Sequence, residues 1–207
     1  MKVLLIRHGE TDWNIEKRIQ GRTDIPLNEN GRAQADALAE ILSQRPAPVS
    51  ALYTSPLTRA SQTAFAIRNR LALSCQSVED LREIGFGLWE GLRWDEVKTR
   101  YPKEFEIWYE NRRDTRPPDG ESYLDLLKRL VPALKNIIKN HTDDGDIIIV
   151  THSACIISLL SLLNNTPLHE MAKRYPLSNT AIVEINPDQI SNYFWQTGRT
   201  WSWSEAD

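Results

Sequence analysis

A three-layer α/β/α sandwich around a mainly parallel sheet is the fold the sequence predicts, and three observations predict it. Two runs, Lys2–Arg7 (KVLLIR) and Asp146–Thr151 (DIIIVT), are almost unbroken in leucine and β-branched residues. Strands buried on both faces read this way, whereas half-exposed strands alternate. The segments between such runs carry apolar residues at helical spacing, so strands and helices alternate along the chain. Finally, 207 residues with 41% apolar and 26% charged side chains suit one domain, residues 1–207, that buries roughly 70% of its unfolded surface.

Taken in order, Lys2–Arg7 is the first strand. Residues 29–44 form a helix with Ala35, Leu38, Ala39 and Leu42 on its inner face and Asn28 as its cap. Ala51–Thr54 is a shorter strand. The helix over 56–71 starts at Pro56, where a missing N–H costs nothing, behind Ser55 as cap. Gln76–Val78 is a fourth strand candidate. From about Gly85 to Gly120 the composition changes: Trp89, Trp94, Tyr101, Trp108 and Tyr109 stand among many charges. This stretch is expected to be a small helical lid inserted over one end of the sheet. Residues 122–140 open with Ser122-x-x-Asp125, a capping-box variant, and Pro132 is expected to bend the helix. Asp146–Thr151 leads into a helix over 153–163, apolar nearly all round and therefore deeply buried. Thr180–Ile185 and Asn192–Gln196, flanking Asn186-Pro187-Asp188, read as an edge hairpin. The edge of that hairpin offers a surface for a homodimer, and Trp201 and Trp203 are expected to pack on the surface or on such a partner.

Composition excludes several classes. No apolar run approaches the ~20 residues of a membrane span, and Val3–Ile6 is too short for a signal-peptide core. A net charge of −3 argues against a general nucleic-acid binder. Cys75 and Cys155 match no metal-ligand spacing and read as small buried hydrophobes. A cytoplasmic protein with neither nucleic acid nor membrane as partner is expected.

Ligands of open α/β sheets bind beyond the carboxyl ends of the strands. Both strong strands end in a histidine there, His8 in Arg7-His8-Gly9 and His152 in Thr151-His152-Ser153. If these strands are parallel neighbours, both imidazoles stand at one edge. Arg59 falls in the first turn of its helix, against the helix dipole, a placement that an anion between guanidinium and helix N-terminus would explain. Arg7, a charge at the end of a buried strand, needs a partner or a ligand. Two arginines and two histidines at one sheet edge make a cage for a dianion such as a phosphoryl group.

The segment Leu5-Ile-Arg-His-Gly-Glu-Thr-Asp-Trp-Asn14 resembles the signature of the histidine phosphatase superfamily, also called the phosphoglycerate mutase-like family. The resemblance continues through Gln20-Gly21, Pro26–Ala35, Thr54–Ala64, Leu81–Gly91, Gly120-Glu121-Ser122 and Val150-Thr151-His152, in family order. It implies that His8 is the nucleophile that becomes phosphohistidine and that Arg7, Arg59 and His152 hold the phosphoryl oxygens. It also implies that Asn14, Gln20 and Gly21 lie at the phosphate pocket and that Glu83 protonates the leaving oxygen. A neutral imidazole splits one hard displacement into two easier ones, and fixed cations stabilise charge on the equatorial oxygens. The distal nitrogen of His8 should donate to a backbone carbonyl near Gly9, and a protonated His152 would add a third positive charge to the cage. Neither a metal nor an organic cofactor is expected. Glu10 and Glu90 are the rivals of Glu83; Glu90 is better suited to hold a turn.

Ser153 departs from the family, which has glycine after the second histidine; serine can cap the following helix there and still face phosphate. Gly85-x-Gly-x-Trp-Glu-Gly91 resembles the phosphatase and α-ribazole phosphatase branch. The expected activity is therefore hydrolysis of a small phosphorylated metabolite. A cofactor-dependent phosphoglycerate mutase and a non-catalytic phospho-ligand binder are the alternatives. Within the lid, Arg112, Arg113 and Arg116 could meet a second acidic group of the substrate, or be solvated partners of neighbouring acids.

Overall fold

In the computed structural model, which describes residues 1–141 and 145–192, the expected α/β sandwich is formed. Five strands, β1 (Val3–Arg7), β2 (Val49–Thr54), β3 (Cys75–Ser77), β4 (Asp146–Thr151) and β5 (Ile182–Ile185), lie in the order β3-β2-β4-β1-β5. All pairs are parallel except β1 with β5. All of β4 and most of β1 are buried. Side chains alternate between the faces of a strand, which divides the core in two. Leu4, Ile6, Leu52, Ile148 and Val150 pack under α2 (Glu29–Ser43) and α3 (Thr58–Leu71). Val3, Leu5, Tyr53, Ile147 and Ile149 pack with α6 (Tyr123–Lys139) and α7 (Ser153–Leu163) on the other side.

Shorter helices complete the described chain: α1 (Asp12–Ile15), α4 (Trp94–Arg100), α5 (Pro102–Glu110), α8 (Met171–Arg174) and α9 (Pro187–Asn192). Asn28 caps α2 through the Gly31 N–H, and Ser122 with Asp125 forms the expected capping box of α6, which runs unbroken through Pro132. The inserted segment is more than a cover. Trp89 and Trp108 are buried in the larger core, their ring centroids 5.4 Å apart, and Trp94 stacks on Trp108.

Three local expectations are corrected. The helix after β2 begins at Thr58, not at Pro56, with Leu57 at the cap position and no side-chain cap; the Ser55 hydroxyl instead accepts from the Leu57 N–H ahead of the helix. His152, not Ser153, stands at the N-cap of α7. Asn186-Pro187-Asp188 is not a hairpin turn: Asn186 accepts from the Asp188 N–H and Pro187 opens α9, a position proline favours. Residues 193–196 of the expected second strand, and Trp201 and Trp203, lie outside the described residues. Among the described residues no helix is long and apolar enough to cross a membrane.

Candidate active site

Register brings the site together. Arg7 pairs with Thr151 across β1 and β4, so His8 and His152 leave the sheet side by side, ring centroids 5.2 Å apart. Ser55, following β2, donates its N–H to Val150 O at the same edge. The cavity there, of about 380 Å³, is lined by Arg7, His8, Asn14, Gln20, Gly21, Arg59, Glu83 and Ser153, all named from the sequence. His152 lies beneath it, fully buried.

The Nδ1 of His8 is 2.7 Å from Gly9 O. A carbonyl can only accept, so Nδ1 carries the proton and Nε2 keeps its lone pair. Burial, with Arg59 and Arg7 nearby, depresses the pKa of His8 far below 6.5, so the ring is neutral. His152 is depressed likewise by burial and by Arg59. The protonated His152 anticipated as a third cation is therefore not the resting state, because burial and three guanidinium groups, Arg59, Arg129 and Arg7, oppose its charge. Its Nε2 lies 2.7 Å from Ser55 Oγ, which also accepts from the Leu57 N–H at 3.3 Å.

Arg59 is wholly buried and anchored through Nη1 to Thr23 O (2.9 Å) and Nη2 to Gly21 O (2.8 Å). Gly21 has φ 54°, and a Cβ there would collide with the Glu90 carboxylate. Glu90 itself accepts from Arg22, Thr23 and Phe86, holding the turn as expected of it. Arg7 donates to Leu177 O. Burial lowers the pKa of both arginines, so their charges are held at an electrostatic cost that an anion in the cavity relieves.

Glu83 accepts from the Ile84 N–H at Oε1 (3.0 Å) and from the Ala154 N–H, in the first turn of α7, at Oε2 (3.1 Å). Burial raises its pKa, and the two N–H donors with Arg59 and Arg129 only partly offset this. Glu10 instead accepts from Asn28 and Asn30.

The structure adds residues that sequence reasoning missed. Asn179 donates to His8 O (3.1 Å) and to Asn14 Oδ1 (3.2 Å), tying the loop after β1 to α1. Arg129 grips the segment carrying Glu83, donating to the carbonyls of Asp80, Arg82 and Glu83 while paired with Glu121. Its helical position facing Gly120-Glu121-Ser122 was the available signal. Trp13, Lys17, Phe86, Trp94 and Tyr123 also line the cavity. Arg112, Arg113 and Arg116 do not: Arg112 lies over the Trp108 and Tyr109 rings, Arg113 pairs with Asp114, and Arg116 binds Asp125. Among the described residues there is no group of three or more His, Cys, Asp and Glu side chains placed to hold a metal ion.

A sheet edge that sets two neutral histidines beside a buried Arg59, a half-buried Arg7 and one protonatable carboxyl suits an enzyme of phosphate esters, by class a phosphoric monoester hydrolase. The chain belongs to the histidine phosphatase superfamily (branch 1), whose pattern matches residues 3–195. It is 38% identical over 164 residues to phosphoglycerate mutase-like protein 4 of Arabidopsis thaliana, which covers 76% of this chain and 69% of that protein. Identity is also 38% over 157 residues with the metal-independent phosphoserine phosphatase of the same plant, covering 75% of this chain and 65% of that one. The chain thus spans about two-thirds of the length of both relatives. The phosphoserine phosphatase of Entamoeba histolytica, solved with 3-phosphoglyceric acid, matches with a TM-score of 0.76 and 30% identity, over 88% of this chain and 89% of that one.

Proposed function

We propose that the protein hydrolyses small phosphorylated metabolites, without a metal, through a phosphohistidine on His8. The observation that carries this reading is the His8–Gly9 hydrogen bond, which leaves a neutral, nucleophilic Nε2 in a cavity shared with Arg7, Arg59 and Glu83. The Nε2 lone pair attacks phosphorus in line, the ester P–O bond breaks, and the proton of Glu83 passes to the leaving alkoxide. Glu83, now ionised, takes a proton from water; the water oxygen forms a new P–O bond, the N–P bond breaks, and phosphate departs with Glu83 protonated again. Arg7, Arg59 and His152 hold the equatorial oxygens, where loss of one donor costs ~10²–10³-fold in rate. Asn14, Gln20, Gly21 and Ser153 complete the wall of the phosphate pocket.

Relatives named for phosphoserine and for glucosyl-3-phosphoglycerate support small phosphomonoesters as the substrate class, and the hydrolytic over the mutase reading. The whole chain is assigned as one such domain with its lid at about 85–120. A cytoplasmic setting suits its unpaired Cys75 and Cys155. A homodimer through β5, the edge strand of the sheet among the described residues, is the assembly expected, and a monomer mass by light scattering would refute it.

Acid-labile label on His8, trapped from a phosphomonoester in a rapid quench with chelator present, is the expected result. His8→Ala should abolish turnover, and Glu83→Gln should keep phosphate affinity while losing ~10²–10⁴-fold in rate. Label on another side chain, or near-normal turnover by His8→Ala, overturns the covalent route.

A further inference from the structure

We propose that Lys17 binds a second acidic group on the substrate, so that the enzyme prefers phosphomonoesters bearing a carboxylate or second phosphoryl group over neutral alcohol phosphates. The inference rests on the phosphatase reading of the same cavity and names the substrate class that reading leaves open.

Charge balance is the first observation. Arg7, Arg59, Lys17 and Arg18 all line the cavity, against one carboxyl, Glu83, which already accepts two backbone N–H groups. One phosphoryl dianion accounts for Arg7 and Arg59. Of the remaining two cations, Arg18 is committed to Glu16 and to Gly91 O. The ammonium group of Lys17 makes no hydrogen bond or ion pair with any described residue. Arg112, Arg113 and Arg116, the other cations suited to such a role, do not line this cavity.

Backbone conformation is the second. Lys17 has φ 57°, a left-handed geometry that side chains with a Cβ adopt reluctantly. Its N–H donates to Asn14 O, closing the turn that ends α1. Glycine would make that turn without steric conflict, so the turn alone does not account for a lysine. Strain of this kind is retained where a side chain is needed at a given place, and here that place is the rim of the cavity.

The test compares 3-phosphoglycerate with glycerol 3-phosphate, which differ by a carboxylate in place of a hydroxymethyl group, and adds propane-1,3-diol bisphosphate as the second-phosphoryl arm. Lys17→Gly removes the charge and relieves the backbone, so it folds at least as well as the parent; Lys17→Gln removes the charge alone. Both should weaken the doubly acidic ligands by about three- to tenfold, in KM and in calorimetric Kd, with glycerol 3-phosphate changed less than about twofold. Lys17→Arg should retain the preference, and added salt should erode it in the parent but not in Lys17→Gly. Whichever acidic ligand loses more identifies the preferred group. Equal effects on all three ligands, or none, would overturn the assignment. Calorimetry in a His8→Ala background reads this preference without turnover, so failure of the covalent route shows separately, as absent phosphohistidine.

Discussion

An imidazole attacks phosphorus only while neutral, and the surroundings that keep His8 neutral also set how the protein responds to pH. Burial and the nearby guanidinium groups push His8 and His152 well below 6.5. In the unfolded chain both take up protons as pH falls through that value; in the folded protein they do not. Their contribution to stability is therefore fully present above 6.5 and lost on acidification, by at most about 1.4 kcal/mol per pH unit for each ring. Glu83 has the opposite sign. Its pKa is raised from 4.5, so its contribution is present below 4.5 and declines as pH rises through its folded value. Between pH 7 and 5 the histidine contribution should win, because two rings titrate against one carboxyl. Urea midpoints should fall over this interval, and His8→Ala should flatten the fall. Parallel slopes for parent and variant would show that His8 is not held neutral by its fold.

Elements act by delivering these residues to one place, and here legibility in the sequence divides cleanly. β1 and β4 were readable because burial on both faces leaves an unbroken apolar run, and their parallel pairing then placed His8 beside His152. The cage was readable because Arg7 and Arg59 stand where charge has no ordinary reason to be. What was not readable depended on contacts across long sequence separations. Ser55-Pro56 looks like a helix start by local rules, yet the helix begins two residues later, and the Ser55 hydroxyl bonds both the Leu57 N–H and His152, far away in the chain. Pro187 punctuates equally well before a turn or a helix, and local pattern cannot choose. Arg129 is another such case, one more charged residue on an amphipathic helix until α6 is docked on the segment of Glu83. Because it binds three carbonyls of that segment and Glu121, with both partners mostly buried, Arg129→Met should cost about 3 kcal/mol in urea unfolding. It should also lower kcat with KM little changed and shift the pH profile, since Arg129 helps restrain the Glu83 pKa. A stability loss with an unmoved profile would reduce Arg129 to a purely structural part.

At the scale of the whole molecule, the site is a liability until an anion arrives. Arg59 is fully buried, Arg7 half-buried, and burial lowers the pKa of both, so the folded protein holds positive charge largely out of water with no carboxylate among the described residues in an ion pair with either guanidinium. Their hydrogen bonds to the carbonyls of Thr23, Gly21 and Leu177 satisfy donors, and the carboxylate of Glu83, with Asp24 and Glu90 for Arg59, offsets the cost of burying the charge only in part. An oxyanion bound between them removes that penalty in the folded state alone, and ligand that binds only the folded state stabilises it by mass action. Inorganic phosphate at 100 times its Kd should therefore add about 2.7 kcal/mol to the unfolding free energy, seen as a rise in the thermal midpoint that grows with the logarithm of phosphate concentration. Arg59→Met should start from a higher or equal midpoint, since an unpaired buried charge is replaced by an apolar chain, and should gain far less from phosphate. If phosphate raises both midpoints alike, it binds somewhere other than between Arg7 and Arg59, and the anion-binding role of this sheet edge is lost with it.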